Sequence, residues 1–279
     1  MAITHPRAAG AARARGWVAP AARAGYLTKG VLYVLVGVLA LQTVLGAPGE
    51  GELGGPGAAV DTIGEQPFGK VLLTLVGIGL FAYAAWRLVQ AILDPEGSAR
   101  DGSKAIAKRI GWAISGVIHA SLGVAALQIA MGERASADRG AQSWIGEVLG
   151  MPAGDAILVT AGAAVVLFAL YEIYRAWTTD FTRQLQITRM SPTERRWAIR
   201  SGRFGLFARG VVFLIIGSGI IQAALGAAPG EAKDIGGALR EIAGQPSGAA
   251  LLTVVALGLL AYGVFQVVEA KYRRIPVRV

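Results

Sequence analysis

The chain has no cysteine, only two histidines, and few charged residues for its size. Without cysteine it can form no disulfide, carry no thiol nucleophile and hold no thiolate metal site. His5 and His119 are too few for a histidine-rich metal or haem centre. No H-E-x-x-H, G-x-S-x-G or phosphate-loop sequence occurs, so no catalytic residue, metal ligand or cofactor is assigned. Charged residues make up 16% of the 279 positions, against roughly 25% in a soluble domain. Hydrophobic residues make up 54%, and the mean hydropathy is +0.51. Such a chain cannot cover a water-facing surface, which predicts contact with lipid.

Six apolar segments stand out, near Tyr26–Gly46, Lys70–Leu93, Ile110–Met131, Asp155–Trp177, Gly205–Gly226 and Gly248–Ala270. Each is long enough to cross a hydrocarbon layer, which takes about 20 helical residues. The first follows a basic leader (Arg7, Arg13, Arg15, Arg23) but is longer than the apolar part of a signal peptide. It also recurs twice further along, which argues for a retained span.

The recurrence is specific. Ungapped, RAGYLTKGVLYVLVGVLALQ from Arg23 aligns with RIGWAISGVIHASLGVAALQ from Arg109 and RFGLFARGVVFLIIGSGIIQ from Arg203. All three copies share an Arg, a Gly two residues later (Gly25, Gly111, Gly205), two further glycines and a glutamine. The even spans open on Pro-x-Gly at Pro67, Pro152 and Pro246. An aromatic follows at Tyr83, Phe168 and Tyr262, and a second at Trp86, Tyr171 and Phe265. A long polar residue then precedes Ala (Gln90, Arg175, Glu269). Self-similarity of this kind predicts a repeat architecture. Each unit has an even number of spans, so the units enter the membrane in the same sense. The expectation is an all-α membrane protein of six transmembrane helices, as three parallel two-helix repeats. Pseudo-threefold symmetry about the membrane normal and adjacent antiparallel helices within each repeat are expected with it. The organisation reads as a basic leader (1–22), repeat 1 (23–95), repeat 2 (109–180), a basic linker (181–202), repeat 3 (203–272) and a basic tail (273–279).

Net charge is +9. Its distribution favours a membrane face over nucleic acid, which would need a recognisable soluble module. The loops 43–70, 131–155 and 226–247 hold only Lys70, Arg134, Arg139, Lys233 and Arg240 of the chain's 27 basic residues. By the positive-inside rule both termini are cytoplasmic, and anionic lipid headgroups are the expected contact of the basic face. The stretches VDTIGEQPFG, SWIGEVLGMPAG and ALREIAGQPSG read as short interfacial helices on the outer side. Gly/Pro-rich turns precede them.

The thrice-repeated R-x-G…G…G…Q helix, followed by P-x-G…aromatic…aromatic…polar-Ala, resembles the bacterial membrane family known as domain of unknown function 1206, over about residues 23–272. Phe168 departs from the tyrosine at that position in the other copies. The resemblance implies a six-span protein of the bacterial plasma (inner) membrane and supplies no catalytic residue.

Within the spans, Gly30, Gly37, Gly116, Gly123, Gly210 and Gly217 read as helix-packing positions, since small residues let backbones approach. Gln42, Gln128 and Gln222 fall at the outer ends, as capping groups or a polar ring. His119 is the one ionisable residue at mid-depth, where the other copies have Tyr33 and Phe213. It reads either as a functional group or as filling an aromatic slot. Lys29 and Arg209 are expected to snorkel. Arg87, Gln90, Glu172, Arg175 and Glu269 are expected to anchor the inner interface. With no mid-membrane polar constellation expected, the function reading is a non-enzymatic structural or interaction protein whose protein partner is unknown. The alternatives are a small channel or transporter with a pathway near the pseudo-threefold axis and, last, a membrane enzyme. A bundle centre closed by Gly, Ala, Leu and Val would favour the first; a polar centre faced by His119 would favour the second.

Overall fold

A computed structural model describes residues 6–46, 53, 55–94, 102–133, 141–226, 230 and 233–275. His5, Arg134, Arg139, most of the first Gly/Pro-rich turn and the tail from 276 lie outside the described residues, as do the side chains of 6–18. Among the described residues are nine α-helices: α1 (Pro6–Leu45), α2 (Pro56–Gly64), α3 (Gly69–Leu93), α4 (Ser103–Ala130), α5 (Ala141–Leu149), α6 (Gly154–Thr178), α7 (Pro192–Leu225), α8 (Ile235–Ala243) and α9 (Gly248–Tyr272). Six of them, α1, α3, α4, α6, α7 and α9, are long and apolar enough to cross a membrane. The protein is an all-α, multi-pass membrane protein.

The short helices α2, α5 and α8 form at the amphipathic stretches. A tight turn joins each to the next span. A Cβ on Gly69, Gly154 or Gly248 would lie 2.4, 1.9 or 1.9 Å from the carbonyl oxygen of Gly64, Val148 or Ala243. Only glycine permits that approach, which explains the thrice-repeated Pro-x-Gly.

Three helices, α1, α4 and α7, start earlier than hydropathy alone implies. For α7 the cause is a capping box: Ser191 Oγ accepts from the Glu194 amide at 3.2 Å, and the Glu194 carboxylate accepts from the Ser191 amide at 2.9 Å. Part of the expected linker is therefore helix. The rest folds against the end of α9. Leu185 bridges Arg273, and the Gln186 amide donates to the Tyr272 carbonyl at 2.8 Å. Phe181 stacks edge-on against Phe265.

The strongest packing lies between repeats. Each even span packs along the odd span of the next repeat: α3 on α4, α6 on α7, and α9 back on α1. The six predicted packing glycines sit on these seams in equivalent register. Cβ atoms added to Gly30, Gly116 and Gly210 would face the carbonyl oxygens of Gly263, Ala84 and Ala169. Those on Gly37, Gly123 and Gly217 would face those of Ala256, Gly77 and Gly162. Lipid is as apolar as leucine, so such seams are held by close van der Waals contact rather than by expulsion of water.

Packing within repeats departs from the expected adjacent hairpins. It is present for α1 with α3 and for α7 with α9, but α4 and α6 make no comparable contact. In repeats 1 and 3 the crossing is made by small residues, Thr28 against Gly79 and Ala208 against Gly258. Repeat 2 has Ile114 and Ala164 at those places, and both are exposed. Gly25 and Gly205 press on the backbones of Tyr83 and Tyr262, whereas a Cβ on Gly111 would meet nothing within 4 Å. The seams recur three times and the hairpins do not. The spans therefore form an open arc, α4–α3–α1–α9–α7–α6. All contacts along it are antiparallel, so the three repeats share one orientation.

Candidate functional site

The concave side of the arc is polar near the end where odd spans begin, here called the basic end. Twenty and twenty-three residues beyond each Pro, the even spans present one i,i+3 pair apiece. Arg87 donates to Gln90 at 2.9 Å, Arg175 to Glu172 at 3.0 Å and Gln266 to Glu269 at 2.9 Å. Gln90, Glu172, Gln266 and Glu269 are buried. The expected interface anchors are thus turned inward, where each has a polar partner that lipid could not supply. Arg273 pairs with Glu269 beside Tyr26.

Lys29 and Arg209 occupy equivalent positions on α1 and α7, and neither snorkels. Lys29 is 4% exposed. Its Nζ lies 3.1 Å from Tyr83 Oη and 5.9, 5.0 and 5.4 Å from the ring centres of Tyr33, Tyr83 and Tyr262. Arg209 donates to Glu172 at 2.6 Å and lies over Phe168, Phe213 and Tyr262. Cation–π contact offsets part of the cost of holding these charges away from water, about 2 kcal/mol for a well-desolvated ring. At ~1.5 Å per residue, Lys29 and Arg209 lie ~24 Å from the Leu45 and Leu225 ends of their helices. That depth is still short of the basic end of the spans.

The cluster has more donors and positive charge than it can satisfy. Lys29, Arg87, Arg175, Arg209 and Arg273 outnumber the two buried carboxylates among them, Glu172 and Glu269. Among the described residues no carboxylate pairs with Lys29 or Arg87. Tyr83 Oη takes one N–H from Lys29 and two from Arg87, at 3.1, 2.8 and 2.5 Å. That exceeds the lone pairs of one phenol oxygen. Arg209 Nε and Gln90 Nε2 have no acceptor, and one acceptor of the cluster, Gln266 Oε1, has no donor. An oxyanion would supply both the missing charge and the missing acceptors. Among the described residues no three His, Asp or Glu side chains converge as metal ligands would.

His119 points into the arc, its ring centre 4.5 Å from that of Tyr83. Its Nδ1 lies 2.7 Å from the Ser115 carbonyl and must donate to it, which leaves Nε2 as acceptor in the neutral ring. Gln42 and Gln222 are exposed and Gln128 is half-buried, all at the opposite end of the spans. They are not brought into the cluster. Sequence reasoning missed the inward cations. The available signal was that Lys29 and Arg209 occupy the same repeat position, and that three different polar pairs share another.

The family described as Domain of Unknown Function (DUF1206) matches residues 24–94, 110–179 and 204–273. An uncharacterized protein, YxxB of Bacillus subtilis (strain 168), is 31% identical over 257 residues, covering 92% of each chain. No solved structure matches.

Proposed function

The chain belongs to the DUF1206 family, and from that premise we propose that it is a non-enzymatic protein of the bacterial plasma membrane that binds an oxyanion inside its helical arc and conducts it toward the cytoplasmic side. The reading is carried by one observation, the excess of inward-facing cations and N–H donors over acceptors around buried Lys29 and part-buried Arg87 and Arg209. A purely structural bundle gains nothing from such charges, since holding an unpaired cation away from water costs several kcal/mol. A scaffold expects no polar constellation inside the bundle; the inward cations lie toward the basic end rather than at mid-depth, and their unmet donors favour a binding site. The basic end is cytoplasmic in this reading: Arg195, Arg196 and Trp197 are exposed there, where anionic headgroups and the interface favour them.

The test uses purified full-length chain with inorganic phosphate as probe, by calorimetry in detergent and by efflux from proteoliposomes. Wild type binds, and Lys29→Met weakens binding by about tenfold or more, equivalent to at least ~1.4 kcal/mol. Phosphate efflux from vesicles holding Lys29→Met falls to that of empty vesicles. No phosphate binding by wild type, or equal binding by the variant, overturns the proposal.

A further inference from the structure

The arc is open on one side, and its opening is built into the sequence. Three residues separate repeat 2 from its neighbours, and a fourth, the shared Gly111, is left without a partner. Ile114 and Ala164 replace the small crossing pairs Thr28/Gly79 and Ala208/Gly258, Gly111 has no opposing backbone, and Phe168 replaces a tyrosine. As a result α4 packs on α3 and α6 on α7, and among the spanning helices neither end of the arc has a second neighbour. The two edges of the gap carry residues of the interior cluster: His119 on α4, stacked on Tyr83, and Phe168 on α6, stacked on Phe213. Phe168 is 39% exposed while Glu172, one turn nearer the basic end of α6, is 2% exposed. The aromatic residues at the two edges therefore touch the cation cluster, Phe168 under Arg209 and His119 against the Tyr83 that takes Lys29 and Arg87.

We propose that the gap between α4 and α6 is a lateral mouth through which an anionic phospholipid inserts its phosphate headgroup, leaving its acyl chains in the bilayer along Ile114, Ala164 and Leu167. The inference rests on the anion site proposed above and names its ligand class. Charge complementarity selects the occupant. The exposed residues of α4 and α6 along the gap are aliphatic or aromatic and bring no carboxylate, so a second copy docking by this face would leave Lys29 and Arg87 uncompensated. A lipid phosphate brings the negative charge and several acceptor oxygens, and its chains match the rim.

The native chain has no cysteine, so one introduced at the exposed Ala164 can be labelled alone. Purified full-length Ala164→Cys is compared before and after reaction with a bulky maleimide, with Leu257→Cys, exposed on α9 at similar depth, as the labelled control. The probes are dioctanoyl phosphatidate, dioctanoyl phosphatidylcholine and inorganic phosphate. Labelling at 164 lowers phosphatidate affinity about tenfold or more and leaves phosphate binding intact; labelling at 257 changes neither. Phosphatidylcholine binds more weakly than phosphatidate throughout. Undiminished phosphatidate binding after labelling at 164, with phosphate binding still dependent on Lys29, overturns the mouth and leaves the anion site standing. Phosphatidylcholine binding as tight as phosphatidate overturns the headgroup class. A dimer that dissociates only on labelling at 164 gives the face to a second copy and overturns the inference. Failure of wild type to bind inorganic phosphate overturns the anion site itself, and the mouth that rests on it.

Discussion

At Tyr83 one phenol oxygen collects N–H donors from Lys29 and Arg87 while its ring supports Lys29, Arg87 and the His119 imidazole. Charges so placed do not all contribute to stability with the same sign. Glu172 holds Arg209 and Arg175 together, so Glu172→Gln leaves two part-buried guanidinium groups without a counter-charge. Such a change costs about 3–5 kcal/mol and is expected to lower the melting temperature in detergent sharply. Lys29 has no carboxylate to lose. Lys29→Met removes a charge that only aromatic rings and one phenol oxygen support, and keeps the length of the side chain. Its melting temperature is expected to equal or exceed that of wild type, although anion binding is lost. A Lys29→Met protein as unstable as Glu172→Gln would mean that the cation is compensated after all.

At the scale of the helix, the same glycine has different roles in the three repeats. A Cβ on Gly25 would lie 2.6 Å from the Tyr83 Cα, and one on Gly205 2.5 Å from the Tyr262 Cα and N. Backbone cannot yield as a side chain can, so Gly25→Ala and Gly205→Ala are expected to destabilise by pushing helices apart. Gly111, on the unpaired face of α4, has open space. Gly111→Ala is expected to be neutral or to stabilise by up to about 1 kcal/mol, the helix-propensity difference. Thermal unfolding of the three single variants reads the contrast directly. Equal losses at all three sites would mean that α4 and α6 are closed on each other. The contrast also marks how far the sequence was legible. The repeat pattern locates the glycines and the spans, because hydropathy and spacing are one-dimensional properties. It does not say which neighbour a glycine serves, because both neighbours of an odd span are apolar helices. The seam glycines and the hairpin glycines look alike in sequence; only the partner backbone separates them. The inward cations were hidden for a related reason. A depth counted along one helix suggests snorkelling, and the direction of the side chain around that helix depends on the aromatic residues of the others.

For the whole molecule, three copies of one unit run the same way, and the charge bias between the two ends follows from that parallel arrangement. The unit places its Pro-x-Gly turn at one end every time and its Arg-x-Gly opening at the other, so basic residues accumulate on one face instead of cancelling. The arc, its mouth and its anion cluster inherit this polarity. Lys29, Arg87, Glu172 and Arg209 all lie toward the basic end, so an anion bound there is drawn toward the side where the basic residues collect. Cytoplasmic placement of that end gives a direct labelling test. With no native cysteine to remove, Gln66→Cys and Gln245→Cys, in exposed turns after α2 and α8, are expected to react with an impermeant maleimide on intact spheroplasts. Thr188→Cys, exposed in the segment between α6 and α7, is expected to react only after the membrane is opened. Reaction of Thr188→Cys from outside with Gln66→Cys and Gln245→Cys protected would reverse the orientation, and the cluster would then face the exterior. Labelling of Gln66→Cys and Gln245→Cys from opposite sides would contradict the shared direction of repeats 1 and 3, on which the arc depends.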